Sequence, residues 1–184
     1  QGDIHRYNAA GSYLGKIEFP EDWHFDDILV APDGGLLAVA QGETIVRFDA
    51  NYQATLVIPD AVSSISRDSE LDCRVAADGL GNIYVLGAFN QSVFKFAPDG
   101  RFLTRIGSPG DEPGQFRAPN AVAVDGQGRV YVADLNQIEI FDSEGRYLDR
   151  IQLEQGVAFG LVFNLQNELF AVTNAPRVLK FTIP

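Results

Sequence analysis

Three aspartates and one asparagine have the chemistry and the spacing of a possible shared site. Asp27, Asp72 and Asn120 lie at or just before the start of apolar runs that resemble inner β-strands, and Asp134 ends another such run. Carboxylate and amide oxygens are the ligands that hard cations such as Ca²⁺ prefer. If these strand ends converge, the four side chains can bind a ligand or a calcium ion in a central channel. The alternative is that they cap strand ends and face solvent.

Other reactive residues do not form a recognisable catalytic set. The two histidines, His5 and His24, lie in different contexts, and a metal site needs converging ligands. Cys73 begins an inner strand, which is typical of a small buried residue. The chain has neither a Gly-x-Ser-x-Gly elbow nor a phosphate-binding glycine loop. No catalytic residue is therefore predicted.

The elements that would position these residues repeat along the chain. The third strand of each unit begins at Ile4, Ile45, Val93, Ile138 and Val178, and each time an aromatic residue follows three positions later. The spacing averages about 44 residues, which is in the range of propeller blades. Short apolar runs alternate with polar turns, and no stretch keeps a helical period. We therefore expect an all-β fold of four-stranded antiparallel blades with almost no helix.

Turns containing Asp and Gly set the strand alignment. Residues 78–82 and 125–128 precede second strands and supply the positive φ angles that tight hairpins require. Counting backward from these turns places Asp27, Asp72 and Pro119 at equivalent positions of the inner strands. Two longer connections, residues 59–71 and 107–117, are predicted to be surface loops that join one blade to the next.

One segment resembles a known repeat. Residues 106–110, 114–116, 119–125, 130–134 and 140–142 together resemble an NHL repeat, and the likeness is closest over residues 107–151. The family forms β-propellers, usually of six blades. Relatives of this architecture include lactonase-type hydrolases, which hold a divalent metal in the channel with Glu, Asp and Asn. This chain does not match those metal-binding positions.

The resemblance implies a single NHL-type propeller domain over residues 1–184. Its units are predicted at residues 25–58, 71–106 and 119–151, with partial units at 1–17 and 159–184. That is about four visible blades and seventeen strands. We expect the chain to be part of a five- to seven-bladed ring with exposed apolar edges. The alternative is a four-bladed ring closed by pairing the N-terminal fourth strand with residues 178–182.

Composition limits the partners. The net charge of −11 disfavours nucleic-acid binding. No apolar run approaches the roughly 20 residues of a membrane helix, so membrane insertion is not expected. The absence of methionine favours a processed or partial chain, and the family's frequent export favours an extracellular or periplasmic location.

Three functions fit these observations. The first is a non-catalytic scaffold that binds a protein or peptide through its loop faces. The second is a metal-dependent, lactonase-like hydrolase with a divalent ion held by Asp27, Asp72 and Asn120. The third is a structural subunit of an extracellular or cell-surface assembly, sealed by neighbouring chains.

Overall fold

The computed structural model describes residues 3–17, 19, 23–31, 33–175 and 177–183. This part of the chain contains seventeen strands and one short helix, so the predicted all-β fold and strand number are confirmed. The outermost residues of the first and last predicted units (1, 2 and 184) lie outside it. The elements are β1 (His5–Tyr7), β2 (Tyr13–Lys16), β3 (Phe25–Val30), β4 (Leu36–Ala40), β5 (Thr44–Phe48), β6 (Ala54–Ile58), α1 (Ser63–Ser66), β7 (Cys73–Ala77), β8 (Ile83–Gly87), β9 (Ser92–Phe96), β10 (Phe102–Ile106), β11 (Pro119–Val124), β12 (Val130–Asp134), β13 (Gln137–Phe141), β14 (Tyr147–Gln152), β15 (Ala158–Phe163), β16 (Glu168–Thr173) and β17 (Val178–Thr182).

The strands form consecutive antiparallel sheets. Blade A (β3–β6), blade B (β7–β10) and blade C (β11–β14) have four strands each, and blade D (β15–β17) has three. The hairpin β1–β2 is a separate two-stranded sheet. The inner strands β3, β7, β11 and β15 contact one another in that order and line one central cavity. This arrangement is a β-propeller.

The hairpins between first and second strands lie on the face of the propeller that we call the turn face. Asp125 Oδ1 accepts hydrogen bonds from the backbone N–H groups of Gln127 and Arg129, and Oδ2 accepts one from the Tyr131 hydroxyl at 3.3 Å. Asp78 and Tyr84 repeat this arrangement in blade B. Burial, reinforced by the Asp125 charge, raises the pKa of Tyr131 to about 12. The Asp-Gly segments are therefore hairpin turns, as predicted.

The core lies between blades rather than within one. Leu37, Val39 and Ile45 of blade A pack against Val85 and Phe94 of blade B. The other junctions have equivalent clusters. Cys73 is buried in the junction between blades A and B, as expected for a small core residue, and burial raises the pKa of its thiol. Full burial of one such apolar side chain stabilises the folded state by roughly 1.5–3 kcal/mol.

The four-bladed closure is wrong for the described residues. Strand β2 pairs with β1, and β17 forms the edge of its own sheet. The physical reason is that the hairpin packs on blade A, where Ile17 joins Leu36 and Phe48 in one apolar cluster. Apolar side chains are exposed on the edge strand β17, including Val178 at 60%. A predicted apolar edge is therefore present at this end of the array. No helix in the described residues is long and apolar enough to span a membrane.

Candidate functional site in the loop face

The register of the inner strands corrects the predicted alignment of Asp27 with Asp72. Asp27 pairs with Val39, and the residue in that position of blade B is Arg74, which pairs with Leu86. The turn of blade A begins at Ala31, whose N–H donates to the Gly35 carbonyl just as the Asp78 N–H donates to the Asn82 carbonyl, so Ala31 and not Asp33 is the equivalent of Asp78. Counting back from Asp33 therefore displaces β3 by two residues, and a β-bulge after Pro119 adds one residue to β11. Asp27 and Asp72 therefore occupy different positions.

Asp27 lies in the central cavity, which has a volume of about 480 Å³ and is lined by the four inner strands. Its Oδ1 accepts a hydrogen bond from the Ile28 backbone N–H, and its Oδ2 accepts one from the Val75 N–H at 2.9 Å. The second bond joins the inner strands of blades A and B. Arg74 also lines the cavity, but its guanidinium pairs with Asp72.

Asp72 and Asn120 come together in a different place. They line an open groove of about 380 Å³ on the loop face, which is the face opposite the turn face. This loop-face groove is lined by Asp72, Phe89, Gln91, Arg117, Ala118 and Asn120, among others. The Asn120 side chain donates to the Ala118 carbonyl at 2.9 Å. The groove lies between blades B and C.

Asp134 is buried beneath one wall of this groove. Its Oδ1 accepts hydrogen bonds from the backbone N–H groups of Ala118 at 2.7 Å and Arg117 at 3.1 Å. It therefore holds the backbone of that wall in place. In the described contacts Asp134 therefore caps a strand end. This is the alternative that the sequence left open beside ligand binding.

The four predicted residues are thus divided between the channel, the groove and a buried cap. Among the described residues, no group of three or more His, Cys, Asp or Glu side chains could hold a metal ion. The calcium site stays a prediction, and metal analysis of the purified protein is its direct measurement.

Glu70, which sequence reasoning missed, holds the opposite wall. Its carboxylate is buried and accepts backbone N–H bonds from Leu71 and Asp72 at 3.0 Å, from Phe89 at 3.3 Å and from Asn90 at 3.0 Å. The Asn90 side chain donates a further bond at 3.1 Å. Two buried carboxylates, Glu70 and Asp134, therefore position the two walls of the loop-face groove.

Phe89 is the second residue that sequence reasoning missed. Its ring is 69% exposed although its backbone is held by Glu70. The Gln91 side chain crosses the groove and donates to the Arg117 carbonyl. The signal in the sequence was an aromatic residue in a turn between the second and third strands, where blade A has Gly42 and blade C has Asn136.

Glu139 lies behind the Asp134 wall, on β13. Its carboxylate is fully buried, and within the part of the chain that the structure describes Oε2 has no hydrogen-bond partner. Oε1 accepts a bond from Gln137 Nε2 at 2.9 Å and lies 3.5 Å from Arg150 Nε. Burial raises the pKa of Glu139, and the Asp134 charge adds to this effect, whereas Arg150 and the Gly114 amide oppose it.

Two curated proteins share short segments with this chain. Human NHL repeat-containing protein 3 is 35% identical over 69 residues, which cover 35% of this chain and 20% of that protein. The B-box type zinc finger protein ncl-1 of Caenorhabditis elegans is 49% identical over 45 residues, or 23% of this chain and 5% of that protein. The likeness thus spans a fifth or less of each relative, and it confirms the NHL-repeat resemblance.

Solved structures share the fold at low sequence identity. A gluconolactonase from Xanthomonas campestris superposes with a TM-score of 0.74 at 18% identity, covering 100% of this chain and 66% of that one. Virginiamycin B lyase from Staphylococcus aureus, crystallised with quinupristin, gives 0.66 at 12% identity, with 98% and 62% coverage. BamB from Moraxella catarrhalis gives 0.64 at 17% identity, with 97% and 51% coverage. Because a lactonase, a lyase and BamB all share this fold, the likeness identifies architecture alone.

The family model agrees with both the repeats and the sheets. It covers residues 74–171, which is more than half of the chain, and its description is a 6-bladed beta-propeller. Six blades fall within the predicted range of five to seven. The chain therefore belongs to this six-bladed β-propeller family.

Proposed function

We propose that this propeller is a binding module that holds an extended peptide segment of a protein partner in the loop-face groove. The observation that carries the proposal is the exposed Phe89 ring on a backbone fixed by Glu70. Aromatic and arginine side chains are enriched at protein interfaces, where they supply most of the binding energy. Phe89 and Arg117 line the same groove.

Phe89 is not the single exposed apolar side chain beside the groove. Leu71, which follows Glu70 and precedes the groove residue Asp72, is also exposed, although both large apolar side chains cost free energy in water. A partner that covers the Phe89 ring recovers this free energy on binding. This reasoning favours a peptide with an apolar anchor residue.

The groove walls are organised before any partner arrives. Glu70 fixes Asp72 and Phe89 through their backbone N–H groups, and Asp134 fixes Arg117 and Ala118. A rigid site loses little conformational entropy on binding, so more of the contact energy appears as affinity. Pre-organisation of this kind suits a recognition surface.

Charged side chains surround the apolar anchor. Arg117 pairs with Asp111 at 3.1 Å, and Asp72 pairs with Arg74. Exposed rim charges set specificity and association rate more than affinity. The proposed partner therefore presents an apolar residue flanked by polar or charged ones.

The test is selection of peptides from a displayed random library against the full chain, followed by affinity measurement on variants. We expect Phe89→Ala to weaken the selected peptides by about tenfold or more, as for an interface anchor. Leu80→Ala is the matched control, because Leu80 is 83% exposed but lies in a turn-face hairpin.

The control variant should bind the peptides as tightly as the unmodified protein. Equal binding by Phe89→Ala, or failure to select any peptide, contradicts the proposal.

A further inference from the structure

We infer that the proton on Glu139 controls the loop-face groove. With Glu139 neutral, residues 107–118, here called the bridging segment, stay packed over the junction between blades B and C. When Glu139 ionises, the segment loosens, and the groove wall formed by Arg117 and Ala118 loosens with it. This inference deepens the proposed function by adding its regulation. Only the effect of Glu139 on peptide binding rests on the proposed function.

Glu139 stands where the other blades have apolar residues. It pairs with Val132, and the same register position is Val46 in blade A, Phe94 in blade B and Leu179 in blade D. Val46 is fully buried in the apolar cluster under the β1–β2 hairpin, and Phe94 is fully buried in the cluster between blades A and B. A carboxyl group therefore replaces a core side chain at the junction of blades B and C.

The carboxyl group is only half satisfied. Among the described residues, its buried Oε2 has no hydrogen-bond partner, whereas Oε1 accepts a bond from Gln137 Nε2. An ionised carboxylate in this position must gain water or another donor, because burial of an incompletely paired charge is strongly unfavourable. A neutral carboxyl group makes no such demand.

Few charges face this group. Arg150 on β14 approaches Oε1 at 3.5 Å and is itself one-third exposed, and Asp134 on β12 contributes a repelling charge. On the blade B side, Lys95 donates to the Ser143 carbonyl and Arg105 to the Ser92 hydroxyl. Within the part of the chain that the structure describes, Arg150 is thus the ion-pair partner of Glu139.

The bridging segment carries three charged side chains, those of Asp111, Glu112 and Arg117. Arg117 pairs with Asp111 at 3.1 Å. The backbone N–H of Glu112 donates to the Gln115 side chain, and the backbone amide of Gly114 favours the charged form of Glu139. Gly114 also lies close to Phe141 and Tyr147 of blade C. It is therefore the point at which the segment meets the buried carboxyl group.

The segment connects Glu139 to the groove. Phe116 is fully buried against Phe141, with ring centroids 5.6 Å apart, and Arg117 and Ala118 follow it directly into the groove wall. Water that reaches Glu139 must displace part of the packing over it. Because burial raises the pKa of Glu139, this displacement occurs above the usual pH range of glutamate ionisation.

The experiment is a pH titration of the full chain by ¹H–¹⁵N NMR from about pH 4 to about pH 8.5, without peptide. We expect the Gly114, Arg117 and Ala118 amide signals to share an inflection above 4.5, the ordinary pKa of a glutamate. The hydrogen-exchange protection factor of Ala118 should fall by about tenfold or more across it. In Glu139→Gln both changes should be absent. Glu139→Leu, which introduces the residue type that blade D has at this position, should behave in the same way.

Glu144→Gln is the control, because Glu144 is an exposed carboxylate of the same blade, and it should leave the inflection unchanged. The same inflection in Glu139→Gln overturns the inference, as does a wild-type protein whose bridging segment keeps its signals and protection throughout. Since no peptide is present, failure here is distinct from failure of peptide binding at Phe89.

Discussion

Two buried glutamates lie near neighbouring blade junctions, and their surroundings differ. Glu70 precedes blade B and accepts four backbone N–H bonds and one side-chain bond. At Glu139, at the junction of blades B and C, Gln137 donates to Oε1, and Oε2 has no hydrogen-bond partner among the described residues. Both have almost no exposed surface.

Burial alone does not define the role of a charged side chain. The Glu70 carboxylate accepts hydrogen bonds from several backbone N–H groups in place of water, so it holds a loop in position. The Glu139 carboxylate is shielded from water and is only partly hydrogen-bonded, so its charge destabilises the folded state. Protonation removes this destabilisation. The number of donors separates a carboxylate that organises a loop from one whose charge is incompletely paired.

The largest expected effect tests the structural carboxylate. Glu70→Gln should lower the free energy of unfolding by about 3 kcal/mol, because an NH₂ group would face backbone donors that need an acceptor. Urea denaturation at neutral pH measures this loss. Glu144→Gln should change stability by no more than about 0.5 kcal/mol. A similarly small loss in Glu70→Gln would abolish the distinction between the two glutamates.

The second prediction has the opposite sign. Glu139→Gln should raise the free energy of unfolding at neutral pH by about 1–2 kcal/mol, because it removes an incompletely paired buried charge. Since the folded-state pKa of Glu139 is raised, its proton stabilises the native state fully below the unfolded pKa, and this contribution is lost as pH rises through the folded pKa. The advantage of the variant should therefore disappear below about pH 4.5. Urea denaturation at several pH values measures it, and an advantage that is constant with pH would contradict it.

The smallest effect concerns Arg150. Arg150→Gln should lower stability at neutral pH by about 0.5–1 kcal/mol, because a partly exposed ion pair is weak. In the Glu139→Gln background the loss should be close to zero. A double-mutant cycle in urea isolates the coupling between the two side chains. Equal losses in both backgrounds would show that Arg150 acts through other contacts.

Much of the fold could be predicted because every blade repeats the same pattern. The aromatic residue that ends each third strand, such as Phe48 or Phe141, marks the period directly. The Asp-Gly turns mark the hairpins, since their glycines adopt positive φ angles, as at Gly81 and Gly128. These signals are local in sequence, so the architecture follows from them.

The site could be predicted only in part. The turn of blade A begins two residues before its Asp-Gly pair, and a bulge adds one residue to β11 at Asn120; neither shift is visible when residues are counted back from an Asp-Gly pair. Glu139 could have been found, because it interrupts an apolar column of the repeat alignment. That its Oε2 lacks a hydrogen-bond partner among the described residues could not be predicted, since this depends on how the side chains over blade C pack.

The contact between Gly107 and Phe116 limits which sequences this junction can tolerate. A Cβ atom on Gly107 would lie 2.2 Å from Cε2 of the Phe116 ring, and the φ angle of +74° disfavours any other residue as well. A mutation to alanine would therefore have to expel a fully buried aromatic ring. Among natural variants of this protein, glycine at position 107 and the ring at position 116 should be kept or lost together.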